Sequence, residues 1–239
     1  YILFERLKEG SLSLDDTFSV SENAWRKGGA KSGSSTMFLE PGSRVRVEDL
    51  VRGIIVQSGN DACIVVAEGL ASSEQAFAKE MTELARRLGM SKSVFKNATG
   101  WPDPDHLMTA RELAILAKHS IQDHPEYYHY YSEKNFTYNG IKQGNRNPLL
   151  YRDMGADGLK TGHTEVSGYG LTASAVRGDR RLILVVNGLP SVKMRSRESE
   201  RLLEWGFREF NNYELFAATD VVTEADVWLG EQASVPLMI

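Results

Sequence analysis

The sequence predicts an α/β (α+β) fold, an antiparallel sheet with helices packed on it, followed by the start of a small β-rich domain. Three observations predict it. Apolar runs of helical length fill the first half, at Val47 to Gln57 and Asp61 to Leu70. Two strand-like runs, 169–176 and 181–186, flank Gly178-Asp179 in the second half. From about Asn212 the composition turns to short Val-rich segments.

The elements follow in order. Tyr1 to Leu7 has the apolar spacing of a helix already under way, with Gly10 as its stop. Ser21 lies in a polar loop, and Gly28 to Ser35 carries too many glycines and serines for regular structure. Ser58-Gly59-Asn60 makes a tight turn between two largely buried helices. A helix from about Ser73 to Leu88 opens on a capping box of Ser72 and Gln75 and closes on Gly89. Another runs from Thr109 to about Gln122, with Thr109 and Glu112 as its box. Gly178-Asp179 turns a hairpin of core strands, and Lys160-Thr161-Gly162 stands a short loop earlier, where a third antiparallel strand would pair. A long amphipathic helix follows from about Arg195 to Phe210, with Leu202, Leu203, Phe207 and Phe210 on one face. Asp220-Val221-Val222 and Asp226-Val227-Trp228-Leu229 begin the β domain, and Val235 to Ile239 reads as an interrupted strand. The expected division is therefore 1–211 and 212–239. Both ends read as cut, so a longer parent chain is expected.

With 41% hydrophobic and 25% charged residues among 239, the chain is of the soluble globular class, and no apolar run approaches the ~20 residues that span a bilayer. A net charge of −4 with scattered basic residues leaves no electrostatic footprint for nucleic acid. The single cysteine, Cys63, permits no internal disulfide and reads as a small core residue. His119, His124 and His129 recur every five residues, a spacing that does not keep ligands on one helix face, and Pro125 breaks any helix there. Solvated or locally bonded histidines are expected, and no metal or other cofactor. Tyr127 to Tyr131 is expected to pack a helix-to-sheet connection.

Two short elements carry chemistry, Ser58-Gly59-Asn60 and Lys160-Thr161-Gly162-His163. Neither is specific alone: S-x-N recurs roughly once in every one or two chains of this length, and K-[ST]-G in roughly one of ten. Ser21-Glu22-Asn23 and Lys31-Ser32-Gly33 are decoys within the chain. Context separates the copies. Ser58 is fixed where two buried helices meet, and Lys160 heads a sheet strand. Together they suit acyl transfer without histidine, in which a lysine of lowered pKa and a bridging hydroxyl handle the proton. Ser58 would relay the leaving-group proton. Lys160 would supply positive charge to that relay and to a substrate carboxylate, Thr161 a hydroxyl to the same carboxylate, and Gly162 an open strand edge. His163 would add a backbone N–H to an oxyanion hole.

These motifs, with Phe136-Thr137-Tyr138-Asn139-Gly140-Ile141, Asn145-Arg146-Asn147-x-Leu149-Leu150 and Glu198 to Phe207, resemble the serine-type D-alanyl-D-alanine carboxypeptidases. These are low-molecular-mass penicillin-binding proteins of the bacterial cell envelope. The resemblance runs from Tyr1 into the segment after Asn212. It implies a penicillin-recognising serine transferase/β-lactamase-like domain, removal of the terminal D-alanine from peptidoglycan stem pentapeptides through an acyl-enzyme, and inhibition by penicillins. It implies a periplasmic place on the outer face of the inner membrane, held by a C-terminal anchor beyond these residues. It makes Ser58, Asn60 and Lys160 catalytic. Lys160, Thr161, Gly162, His163 and Arg195 become substrate-binding, with Arg195 helping to hold the terminal carboxylate.

The family's nucleophile motif, S-x-x-K, is expected upstream of Tyr1. The one S-x-x-K string present, Ser93-Val94-Phe95-Lys96, reads as chance. A non-catalytic penicillin-fold scaffold or peptidoglycan-binding protein is the alternative. A β-lactamase would need a deacylating carboxylate, for which Glu126 has no supporting pattern. Gly155-x-x-Gly158-Leu159-Lys160-Thr161 nearly spells a phosphate loop, but a hairpin rather than a helix is expected after it.

Overall fold

The computed structural model describes residues 1–213, 215–217 and 219–238. By packing, the chain divides into two units, Tyr1–Trp205 and Gly206–Ile239.

The first unit opens with α1 (Ile2–Lys8), which buries Ile2, Phe4 and Leu7 and is followed by Gly10 at a φ of 73°. Next comes β1 (Thr17–Ser19) and then α2 (Glu22–Gly28). The stretch around Ser21 is thus no loop: Ser21 Oγ accepts from the Ala24 N–H at 2.9 Å and caps α2. After β2 (Arg44–Arg46), antiparallel to β1, four helices follow: α3 (Val47–Ile55), α4 (Asn60–Ala71), α5 (Glu74–Arg87) and α6 (Ala110–Gln122). The inner faces of α3, α4 and α5 meet Ala24 of α2 and Met37 in a core that includes Leu50, Val65, Phe77 and Leu84, while α6 packs against two later strands, Gly168–Arg177 and Arg180–Leu189.

Two caps differ from expectation. Ser73, not Ser72, caps α5 by accepting from Ala76, because Ser72 closes α4 in a left-handed conformation, φ 62°. Thr109 caps α6 as expected, accepting from the Glu112 N–H at 3.2 Å. The Glu112 carboxylate does not complete the box. It turns instead to the Lys92 N–H and the Ser93 hydroxyl.

The aromatic run packs the connection as expected, with Tyr127 stacked on Phe4 at 5.2 Å and Tyr130 buried. His119 bonds Asp123 at 2.8 Å, and His129 bonds the Glu126 carbonyl at 3.0 Å. His124 departs from the expectation of a solvated or bonded ring. It is 1% exposed, its ring nitrogens make no hydrogen bond among the described residues, Nε2 lies 4.0 Å from Glu5 Oε1, and its edge rests on Tyr1 and Phe4.

A hairpin of β3 (Asn135–Tyr138) and β4 (Ile141–Gly144) turns on Asn139-Gly140, both at positive φ. The main sheet is β5 (Ala156–Thr164), β6 (Gly168–Arg177) and β7 (Arg180–Leu189), antiparallel throughout and in that order. Lys160 lies opposite Thr172 and His163 opposite Tyr169. Among the described residues β5 is an edge strand.

Helix α7 (Val192–Glu209) starts three residues before Arg195, which therefore sits inside the first turn rather than at the start. Its buried seam is Arg195, Ser199 and Leu203, spaced by four, and Phe210 is exposed. The expected face of Leu202, Leu203, Phe207 and Phe210 therefore shares only Leu203 with it. In the second unit β8 (Val221–Asp226) pairs antiparallel with β9 (Ser234–Met238). Val227-Trp228-Leu229 belongs to the connection, not to a strand, and Ile239 lies outside the described residues. Among the described residues no helix is long and apolar enough to cross a membrane.

Candidate active site

The site is built on one buried carboxylate. Asp61, in the first turn of α4, accepts from Met37 N and Ala62 N through Oδ1, and from Thr36 Oγ1 and Leu39 N through Oδ2. Four donors between 2.6 and 3.1 Å satisfy a group that has no exposed surface. They pin segment 36–39 to the helix start. Met37 then fills the hollow left by two glycines. A Cβ on Gly53 would stand 2.2 Å from Met37 Sδ, and one on Gly59 would stand 3.0 Å from Met37 Cβ.

On this base the Ser58-Gly59-Asn60 turn is fully determined. Gly59 N donates to Gly53 O at 3.0 Å and Asn60 N to Ser35 O at 2.9 Å. Ser58 takes a φ of 57°, a left-handed conformation that a serine adopts only where the surroundings impose it. Asn60 opens α4 beside it, half-buried, with an amide that makes no hydrogen bond among the described residues.

Lys160 reaches this turn from β5. Its Nζ donates to Ser58 Oγ at 2.8 Å and to Thr161 O at 2.7 Å. Burial, reinforced by the positive charges of Arg146 and Arg195, lowers its pKa to about 8. Arg195 comes from α7. It is 5% exposed, its Nη2 lies 3.5 Å from the Arg146 carbonyl, and its guanidinium lies over the Tyr169 ring at 5.7 Å. Its Nε is buried and makes no hydrogen bond among the described residues. Arg146 donates to Ser35 Oγ. Among the described residues none of these three cations pairs with a carboxylate. Uncompensated positive charge beside a hydroxyl is a receptor for an anion.

The remaining expected residues flank this centre. Thr161 is buried, with a hydroxyl that makes no hydrogen bond among the described residues. A Cβ on Gly162 would meet nothing within 4 Å among the described residues, so the strand is open there. His163 is exposed and stacks on Tyr169 at 3.9 Å. The structure thus joins Ser58 to Lys160 directly and brings Arg195 into their field.

Sequence reasoning missed Arg146 and Tyr169 as site residues. Arg146 stands between two buried asparagines in an irregular loop, where no periodicity signals a role. Asn147 ties that loop to β5 by donating to Gly158 O at 2.8 Å. Tyr169 is found only through strand register.

The decoys have structural duties. Lys31 lies over the Trp25 ring, and Ser93 is fully buried on Glu112. Lys160-Thr161 runs within a strand, which removes the phosphate-loop reading. Among the described residues no group of His, Cys, Asp and Glu could hold a metal ion.

A family model described as D-alanyl-D-alanine carboxypeptidase matches residues 1–191. The chain belongs to the D-alanyl-D-alanine carboxypeptidase family. D-alanyl-D-alanine carboxypeptidase DacC of Escherichia coli (strain K12) is 43% identical over 99% of this chain, and this chain spans 60% of its length. A crystal structure of penicillin binding protein 5 from Haemophilus influenzae superposes with a TM-score of 0.90 at 41% identity, covering 99% of this chain and 69% of that one. Penicillin-Binding Protein D2 from Listeria monocytogenes, solved in an ampicillin-bound form, is 29% identical with a TM-score of 0.72, over 87% of this chain and 83% of that one. The chain thus has the penicillin-recognising serine transferase fold expected of it.

Proposed function

We propose that the protein is a serine D,D-carboxypeptidase that removes the terminal D-alanine from peptidoglycan stem pentapeptides and is acylated by β-lactam antibiotics. The observation that carries this reading is the Ser58–Lys160 hydrogen bond, set beside Arg146 and Arg195, in a cluster of three cations that pair with no carboxylate among the described residues. A peptide ending in a free carboxylate supplies the missing anion. In the reaction a serine Oγ attacks the D-Ala-D-Ala carbonyl, the C–N bond breaks, and the departing amine must gain a proton. Ser58 passes that proton, and Lys160 polarises it through the 2.8 Å hydrogen bond. Asn60 orients the substrate. Thr161, Arg195 and Lys160 hold the terminal carboxylate, Gly162 lets the peptide approach β5, and the His163 N–H serves the developing oxyanion. Water then hydrolyses the acyl-enzyme.

The nucleophile is assigned to an S-x-x-K motif preceding Tyr1. Residues 1–211 form the peptidase domain, and 212–239 begin a C-terminal β domain. The protein acts in the periplasm, peripheral on the inner membrane through a C-terminal anchor. No nucleic acid is a partner.

One observation favours a second reading, in which Ser58 is itself the nucleophile. Ser58 has no lysine in its own motif, yet Lys160 stands within hydrogen-bond distance with a depressed pKa. Mass spectrometry of the penicillin adduct, on protein expressed from its full reading frame, separates the two. A label on an upstream S-x-x-K serine supports the relay role, and a label on Ser58 overturns it. No label and no D-alanine release would establish the non-catalytic scaffold.

A further inference from the structure

Arg195 and His163 come from different elements, α7 and β5, and share one support. The Tyr169 ring on β6 carries His163 stacked at 3.9 Å, with an interplanar angle of 26°, and the Arg195 guanidinium over it at 5.7 Å. Strand register explains the first contact, since His163 and Tyr169 are direct cross-strand partners. The backbone that carries the ring is held on both sides: Tyr169 also pairs with Leu189 on β7, beside a register shift between Tyr169 and Leu171. Arg195 has little else to hold it. Its one side-chain hydrogen bond among the described residues is the 3.5 Å contact with the Arg146 carbonyl, and its buried Nε makes none among them. A buried guanidinium without a carboxylate gains from an aromatic face that orients it while leaving its N–H groups free for an incoming anion.

We propose that Tyr169 is a positioning residue of the carboxylate subsite, its aromatic face aiming Arg195 at the substrate's terminal carboxylate and packing His163 beside it. The inference rests on the carboxypeptidase reading above. The ring, not the phenol hydroxyl, performs this task, and the hydroxyl has no hydrogen bond among the described residues.

The test measures kcat and KM for a D-Ala-D-Ala peptide and for its C-terminal amide, using protein from the full reading frame. Tyr169→Leu should lower kcat/KM on the free acid about tenfold, mainly through KM, and lower it far less on the amide. Tyr169→Phe should stay within about twofold of the native enzyme on both. The double variant with Arg195→Ala should be no worse than Arg195→Ala alone. If Tyr169→Leu does not fold, Tyr169→Met, which fills the space without an aromatic face, takes its place. The inference fails if the leucine or methionine variant matches the native enzyme, if phenylalanine is as damaging as leucine, or if the two losses add. A native enzyme that cleaves and is crippled by Arg195→Ala while Tyr169→Leu is neutral overturns this inference alone. A native enzyme that releases no D-alanine overturns the carboxypeptidase reading and this one with it.

Discussion

Lys160 Nζ lies 2.8 Å from Ser58 Oγ, across 102 positions of sequence. The contact exists because a strand edge and an inter-helix turn converge, and each is rigid for its own reason. The turn stands on Asp61 and Met37. The strand is held by its unbroken pairing with β6 from Gly158 to Thr164 and by Asn147.

The lowered pKa of Lys160 has two consequences of definite sign. Below about 8 the side chain is charged and attracts the carboxylate, so affinity for a D-Ala-D-Ala peptide should fall as pH rises through about 8. Stability runs the other way. The group titrates near 10.5 when unfolded and near 8 when folded, so between these values the unfolded chain binds more protons and stability rises with pH. Below about 8 the penalty is fully present. At pH 7 Lys160→Met should therefore raise the melting temperature, by about 2 to 4 °C for each kcal/mol recovered, while abolishing the alkaline limb of binding. A calorimetric melt and a pH titration of binding check both, and a lower melting temperature would contradict the argument.

Much of this was legible beforehand, and what escaped has a physical pattern. Long helices and the Gly178-Asp179 hairpin announce themselves through periodicity and turn chemistry. So does the pairing of Lys160 with Ser58, because both motifs sit on predictable supports. The seven-residue α2 is too short to show a period, and its start is marked only by the Ser21 cap. The seam of α7 misleads because its buried members include an arginine and a serine. The contribution of Arg146 depends on an irregular loop, and that of Tyr169 on register, neither of which a hydrophobic pattern encodes. Asp61 escaped for a further reason: a charged residue reads as surface until its four donors are seen.

Arg195 should separate function from stability. It is a buried cation without a carboxylate partner among the described residues, so its removal leaves no opposite charge stranded. Arg195→Ala should reduce kcat/KM for D-Ala-D-Ala peptides by about tenfold or more. The melting temperature should not fall. Wild-type kinetics would remove Arg195 from the site.

Two glycines should respond oppositely to a methyl group. A Cβ on Gly28 would lie 2.2 Å from Asp61 N and 2.5 Å from Asp61 Cα, in a residue whose carboxylate four hydrogen bonds hold in place. Gly28→Ala should cost about 1 to 3 kcal/mol or more and disturb the Ser58 turn with it. A Cβ on Gly162 would meet nothing within 4 Å among the described residues, so Gly162→Ala should melt like the native protein and yet slow penicillin acylation by crowding the strand edge. Equal melting curves for the two variants would refute the close-approach argument.

The two serines that stand in motif-like strings should also part company. Ser93 has no exposed surface, and its hydroxyl donates to Glu112 Oε2, whose other oxygen takes the Lys92 N–H. That bond ties the connection after α5 to the first turn of α6 and helps hold the Glu112 carboxyl below its ordinary range. Ser93→Ala removes a donor from an acceptor already committed to the fold, so it should lower the melting temperature by several degrees. Labelling by a fluorescent penicillin, measured on folded protein, should not change. Ser58 presents the reverse case, because its half-buried hydroxyl serves Lys160 and no structural partner besides, among the described residues. Ser58→Ala should leave the melt near that of the native protein and slow acylation by about a hundredfold, as expected when a proton-transfer group is lost. Should Ser93→Ala abolish labelling without unfolding the protein, Ser93-Val94-Phe95-Lys96 is a working nucleophile motif and the assignment of Ser58 as relay falls with it.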